Sequence, residues 1–75
     1  MEFRKVIYNI RIKTLLSQSA FAKEIGVSFS TVNRWESGNA KPSYEALKKV
    51  NDFCDRNSIP FEVDEKYLAK KYRQD

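Results

Sequence analysis

Histidine is absent from this 75-residue chain, and cysteine occurs once. Without an imidazole the sequence lacks the commonest general base. Without a second thiol it can form neither a disulfide within the chain nor the cysteine cluster of a structural zinc site. No enzyme activity, catalytic residue, metal ligand or cofactor is therefore expected. The lone Cys54 reads as a small apolar residue on an inward helix face rather than as a reactive thiol. Long apolar runs are also missing. No uninterrupted apolar stretch exceeds three residues, which leaves nothing to cross a membrane and no apolar centre for a signal peptide in MEFRKVIY. The expectation is a soluble, cytoplasmic protein with no membrane partner. No repeat, low-complexity tract or interdomain linker divides the chain. A domain of this size buries only about 60% of the surface that its unfolded chain exposes, so binding on the outside is expected rather than chemistry in an internal cavity.

What is present begins with unevenly distributed charge. Lys and Arg number 14 against 10 Asp and Glu, a net +4. Residues 1–41 hold Arg4, Lys5, Arg11, Lys13, Lys23, Arg34 and Lys41 against Glu2, Glu24 and Glu36, while residues 42–75 hold seven of each sign. The whole excess therefore lies in the first half. A basic half beside a neutral half is the footprint of a surface that faces a polyanion.

Phe3, Val6, Ile7 and Ile10 recur at helical spacing and predict an amphipathic helix over residues 3–14, with Arg4, Lys5, Arg11 and Lys13 on its wetter sides. A break follows near Leu15 and Leu16. Ser17 is placed to cap a second helix, whose apolar positions are Phe21, Ala22 and Ile25 and which ends before Gly26. Ser28 opens a third helix with Val32 and Trp35 inward, stopping at Gly38. After a loop over residues 37–42, Ser43 caps a fourth helix, in which Tyr44, Leu47, Val50, Phe53 and Cys54 fall on one stripe up to Asn57. Residues 58–60 break it. Phe61 and Val63 read as extended, and Asp64 as the cap of a short fifth helix in which Leu68 and Tyr72 share a face.

The segment from Gln18 to Glu36 meets the conditions of two short helices crossing steeply. Ala22 is small where the helices approach most closely. Gly26 sits at the turn, where a left-handed backbone would strain a residue carrying a Cβ atom. Phe21, Ile25, Val27, Val32 and Trp35 supply the apolar contacts that lock the pair to the rest of the domain. With these spacings QSAFAKEIGVSFSTVNRWESG resembles the helix-turn-helix of the family of phage Cro and CI repressors and Xre-type bacterial regulators, supported by Leu16-Ser17-Gln18 before it and Lys41-Pro42-Ser43 after it. The resemblance covers about residues 7–55. It implies an all-α, four- to five-helix, lambda-repressor-like DNA-binding bundle whose third helix enters the major groove.

Carried over position by position, the resemblance implies that Phe29, Ser30, Asn33 and Arg34 read bases. It implies that Gln18 lies on a DNA phosphate and braces a base-reading side chain. Ser28, Thr31 and Lys41 are expected at the DNA backbone. Arg11 and Glu36 match a pair that ties the first helix to the third, and with Ala22, Gly26, Val32 and Trp35 they form the structural set. Two positions depart from the family pattern. Leu15 stands where many relatives have glycine, and Phe29 stands where a polar base reader is common. A phenyl ring donates no hydrogen bond, so Phe29 is expected to meet a thymine methyl. Spacing from Val32 turns Trp35 inward, toward the core and away from any base. Ser30, Asn33 and Arg34 share the outward face. Lys70, Lys71 and Arg73 lie close to Asp64, Glu65 and Asp75 and read as a solvated tail.

The resulting expectation is a helix-turn-helix domain over residues 1–57 and an extension over residues 58–75, packed on the domain or on a second subunit. The function expected is sequence-specific binding of double-stranded DNA by a prokaryotic or phage transcriptional regulator, a repressor. Two alternatives stay open: an antitoxin that neutralises a partner protein and controls its own operon, and a DNA-targeting module of a larger system. A homodimer is also left open, because Ile59, Phe61, Val63, Leu68 and Tyr72 suit either the core or a second copy.

Overall fold

The four expected helices form, three of them where serine caps place them. In the computed structural model, which describes residues 2–61, they run α1 Phe3–Lys13, α2 Gln18–Ile25, α3 Phe29–Ser37 and α4 Tyr44–Arg56, with no strand among the described residues. Three begin on a serine whose Oγ accepts an amide hydrogen two residues into the helix. Ser17 takes Ala20 N at 3.0 Å, Ser28 takes Thr31 N at 3.1 Å and Ser43 takes Ala46 N at 3.1 Å. Each such cap is worth about 1 kcal/mol. Glu2 precedes α1 without a side-chain cap.

All four helices end in the same device, a left-handed residue followed by an amide that reaches back five positions. Gly26 (φ 76°) precedes Val27, whose N–H donates to Ala22 O at 2.9 Å; Gly38 (φ 83°) precedes Asn39, whose N–H donates to Arg34 O at 2.9 Å. At Gly26 a Cβ atom would meet nothing within 4 Å, so the glycine is there for its backbone angle and not for space. The other two ends use residues that pay for the conformation. Leu15 (φ 57°) lies before Leu16, whose N–H bonds Arg11 O at 3.2 Å, and Ser58 (φ 55°) lies before Ile59, whose N–H bonds Cys54 O at 2.9 Å. The departure noted at Leu15 is thus a leucine holding a glycine's place, with its side chain 91% exposed. Leu15→Gly should stabilise the domain by about 0.5–1 kcal/mol, relief of the left-handed strain exceeding the added freedom of the unfolded chain. Thermal unfolding checks this: a midpoint raised by a few degrees is expected, and an unchanged or lowered one would show that the turn carries no strain.

The core joins the inward stripes of all four helices: Phe3, Ile7 and Ile10; Phe21, Ala22 and Ile25; Val32 and Trp35; Ala46, Leu47, Val50, Phe53 and Cys54. Two edge-to-face aromatic pairs cross it, Phe3 with Trp35 at 5.4 Å and Phe21 with Phe53 at 5.2 Å between ring centres. Burying each such ring contributes about 1.5–3 kcal/mol. The expected α4 stripe needs one correction. Tyr44 keeps 47% of its surface exposed, with the Lys48 ammonium 5.7 Å from its ring centre, and Ala46 is the buried residue of that turn. The Cys54 thiol is fully buried, and burial, with a smaller push from Asp55, raises it to about 11. Such a thiol is protonated and inert at neutral pH. Ile59 and Phe61 are partly buried against the core. Val63 and the fifth helix expected from Asp64, with Leu68 and Tyr72, lie outside the described residues.

Candidate nucleic-acid interface

α3 is buried along one side and open along the other. Val32 and Trp35 enter the core, while Phe29, Ser30, Asn33 and Arg34 are exposed. The 3.6-residue period dictates this split, because positions 29, 30, 33 and 34 fall on the arc opposite 32 and 35. All four expected base readers thus share one outward ridge. Phe29 is 51% exposed, a large apolar ring offered to solvent at the start of the helix.

Open grooves flank this ridge. On one side a groove of about 530 Å³ is lined by Arg4, Lys5, Tyr8 and Asn9 of α1, Gln18 of α2, and Asn33, Glu36 and Ser37 of α3. On the other, a groove of about 390 Å³ includes Thr31 and Arg34 of α3, Lys41 of the following loop and Lys49 of α4. The structure therefore brings Gln18 and Asn33 together on one flank and Arg34, Thr31 and Lys41 on the other. The α1 flank went unnamed in the sequence reading. Its signal was available, since Arg4, Lys5, Tyr8 and Asn9 stand at positions i, i+1, i+4 and i+5, one polar face of α1. Glu2 tempers its charge, with Lys5 Nζ at 3.0 Å and Arg4 at 3.9 Å.

A hydrogen-bonded chain crosses beneath the first groove. Arg11 Nε donates to Glu36 Oε2 at 2.6 Å and Arg11 Nη2 to Glu36 Oε1 at 2.9 Å, a two-point pair between α1 and α3. Arg11 Nη1 donates to Leu16 O at 3.0 Å, fixing the turn that leads into α2. Gln18 Nε2 then donates to Glu36 Oε1 at 3.1 Å, and Asn33 Nδ2 donates to Gln18 Oε1 at 3.1 Å. Burial pushes the Glu36 carboxyl up, but the hydrogen bonds from Arg11 and Gln18 and the charge of Arg11 outweigh it and hold the group below the usual carboxylate range. The Arg11 guanidinium is raised, chiefly by its hydrogen bond to Glu36. Glu36 is thus ionised at neutral pH. The Gln18 oxygen and one of its N–H groups are turned toward the protein.

Two expected backbone contacts are locally engaged. Ser28 Oγ caps α3 and lies 2.8 Å from Thr31 Oγ1, so these hydroxyls first serve the helix start. Lys41 is exposed beside the buried Pro42. Ala22 is buried in α2, 2% exposed, and Gly26 is the left-handed residue that ends α2 before α3. Among the described residues no group of three His, Cys, Asp or Glu is placed to hold a metal, and no helix is long and apolar enough to cross a membrane.

Two short helices joined by a glycine turn, the second exposing a polar face beside basic flanks, define a helix-turn-helix domain. A helix-turn-helix family model matches residues 7–59, and the chain belongs to that family, of the Cro/CI type. It is 34% identical over 53 residues to the HTH-type transcriptional activator BcrR of Enterococcus faecalis, a match covering 71% of this chain and 26% of that protein. The chain thus spans about a quarter of the length of that curated relative. No solved structure matches it.

Proposed function

We propose that the chain is the DNA-reading part of a prokaryotic or phage transcriptional regulator that inserts α3 into the major groove of duplex DNA. The carrying observation is the exposed ridge of Phe29, Ser30, Asn33 and Arg34 on a helix whose opposite side is locked in the core. A rigid helix presented in this way fits the groove of B-DNA, which is about 12 Å wide. In this reading Asn33 and Arg34 contact base edges, Phe29 meets a thymine methyl, and Ser30 contacts whichever base lies beneath the first turn. Gln18, Ser28, Thr31 and Lys41 set the register from the phosphates. Phosphate contacts of this kind position the protein without themselves carrying sequence.

We assign repression by occlusion as the regulatory outcome, because a bundle seated on a promoter blocks access through binding alone. The relative from Enterococcus faecalis is named an activator, a property of a protein of which this chain spans 26%. Binding by a homodimer would place half-sites about 34 Å apart, one turn of DNA. Selection of bound sequences from a random duplex pool tests sequence reading and two-fold symmetry at once. A palindromic consensus is expected, an asymmetric one would remove the dimer, and no enrichment would remove sequence reading altogether.

Duplex binding should also weaken steeply with salt, because the net charge of the first half of the chain has to displace counterions from the DNA. Each phosphate neutralised contributes about −0.9 to the slope of log affinity against log salt. A titration from low to physiological salt measures this slope, and a flat response at measurable affinity would contradict the proposed interface.

A further inference from the structure

Among the described residues the exposed large apolar side chains are Tyr8, Ile12, Leu15, Phe29 and Tyr44. Phe29 belongs to the α3 ridge, and the Tyr44 ring has the Lys48 ammonium beside it. The other three stand on α1 and the turn that ends it. Tyr8 and Ile12, one turn apart, lie on the arc opposite the buried Phe3, Ile7 and Ile10, and each leaves nearly half of its surface exposed. Leu15 follows with nearly all of its surface exposed. It also holds a left-handed backbone, φ 57°, which a glycine would adopt without strain. Backbone strain and an apolar side chain in water are separate costs, and neither contributes to the core.

We propose that this line is a docking seam for a helix of another protein, one whose apolar stripe is edged by carboxylates. Lys5, Tyr8, Ile12 and Leu15 follow one another at intervals of 3, 4 and 3 residues. That is the spacing of a and d positions where two helices pair, with the alkyl stem of Lys5 as the first member. Leu15 is kept in water and in a strained backbone because its side chain completes the seam. Charge selects the occupant. The exposed charges along α1 are Arg4, Lys5 and Lys13 against Glu2 at its start, which Lys5 meets at 3.0 Å. A second copy would set these cations against their own counterparts across a two-fold axis, so self-pairing through this face is opposed. An anionic lipid surface would satisfy the cations, but helices that lie in such a surface present a broad apolar face, and here the apolar side chains form one narrow line. A partner helix with Glu or Asp at its edge positions satisfies both the line and the charges. This inference goes beyond the DNA-reading function and does not depend on it.

The test uses the whole chain and a fluorescent synthetic peptide of about four heptads with Ile at a, Leu at d and Glu at e and g. A counterpart with Lys at e and g is the charge control. By fluorescence anisotropy the wild-type protein should bind the acidic peptide about 10-fold or more tightly than the basic one. Ile12→Ser, its folding checked by thermal unfolding, and Leu15→Gly should each weaken the acidic peptide by about 10-fold or more. Leu15→Gly is the decisive variant, because the domain should gain stability while it loses the peptide, and a purely structural role for Leu15 could not move the two in opposite directions. If neither peptide binds, or both bind equally, the inference falls. It falls as well if the acidic peptide binds Ile12→Ser and Leu15→Gly as it binds wild type, since the peptide then sits elsewhere. Sedimentation of the protein alone and with phosphatidylserine-containing vesicles covers the other occupants. A dimer abolished by Leu15→Gly would give the seam to a second copy, vesicle binding abolished by the same change would give it to lipid, and either result overturns the proposal. DNA reading stands or falls separately, on the selection experiment above.

Discussion

Replacement of Glu36 by alanine is expected to lower the midpoint of thermal unfolding by about 10–20 °C, the largest stability effect of a single polar side chain in this domain. The size follows from what is left behind. The Glu36 side chain is 8% exposed and that of Arg11 13%, so neither end recovers much hydration when its partner is removed. Glu36→Ala strands the Arg11 guanidinium and leaves the Gln18 amide without its acceptor. Arg11→Ala strands a carboxylate and frees Leu16 O at the α1–α2 turn. Either change should cost about 2–4 kcal/mol against a total stability of about 5–10 kcal/mol for a small domain. The double variant should cost clearly less than the two single losses together, because it leaves no unpaired charge. Additive losses, or unchanged midpoints for both single variants, would mean that the pair does not hold α1 to α3 in solution.

The same pair sets a pH dependence. The folded Glu36 carboxyl lies below its ordinary value, so the folded state binds this proton less readily than the unfolded chain does. Its stabilisation is therefore complete above the unfolded value of about 4.3 and is lost as the pH falls through the lowered folded value. Wild-type protein should lose stability below about pH 4 more steeply than Glu36→Gln. Parallel curves would show that Glu36 titrates as an exposed carboxylate.

The helices could be read before the structure because their signals are local. Serine caps at 17, 28 and 43 and glycines at 26 and 38 each act within a turn of where they stand. Leu15 and Ser58 use the same left-handed ending without its usual residue, so the sequence marks a break at each place but not the backbone angle that makes it. Tyr44 shows the limit of periodicity: spacing assigns a side of the helix, but burial also needs a neighbouring element, and Tyr44 is the first residue of α4. The outward ridge was legible for the same reason as the core, since one period generates both faces. The placing of the α1 polar face beside α3 and the direction of the Gln18 and Asn33 amides were not. They arise between residues far apart in sequence, and one amide letter does not say which end donates.

Arg34→Ala is expected to weaken binding to the preferred operator by about 1–3 kcal/mol, and to do so selectively. Arg34 and Lys41 line the same groove, both exposed and both basic, so charge alone cannot separate them. Their frames differ. Arg34 rises from α3 itself, and a planar guanidinium on a helix seated in the major groove can pair its two N–H groups with O6 and N7 of one guanine. Lys41 lies on the loop past α3, where a flexible ammonium meets phosphate oxygens as a point charge and carries no base pattern. Lys41→Ala should therefore weaken all operators by a similar factor and reduce the salt slope by about 0.9. Arg34→Ala should instead flatten the preference at one base pair and leave the others standing. Arg34→Lys, which keeps the charge and loses the fork, should resemble Arg34→Ala on the preferred operator and wild type on those lacking that guanine. Affinities of the three variants across single-substitution operators decide the matter, and a uniform loss for Arg34→Ala would move Arg34 from the bases to the phosphates.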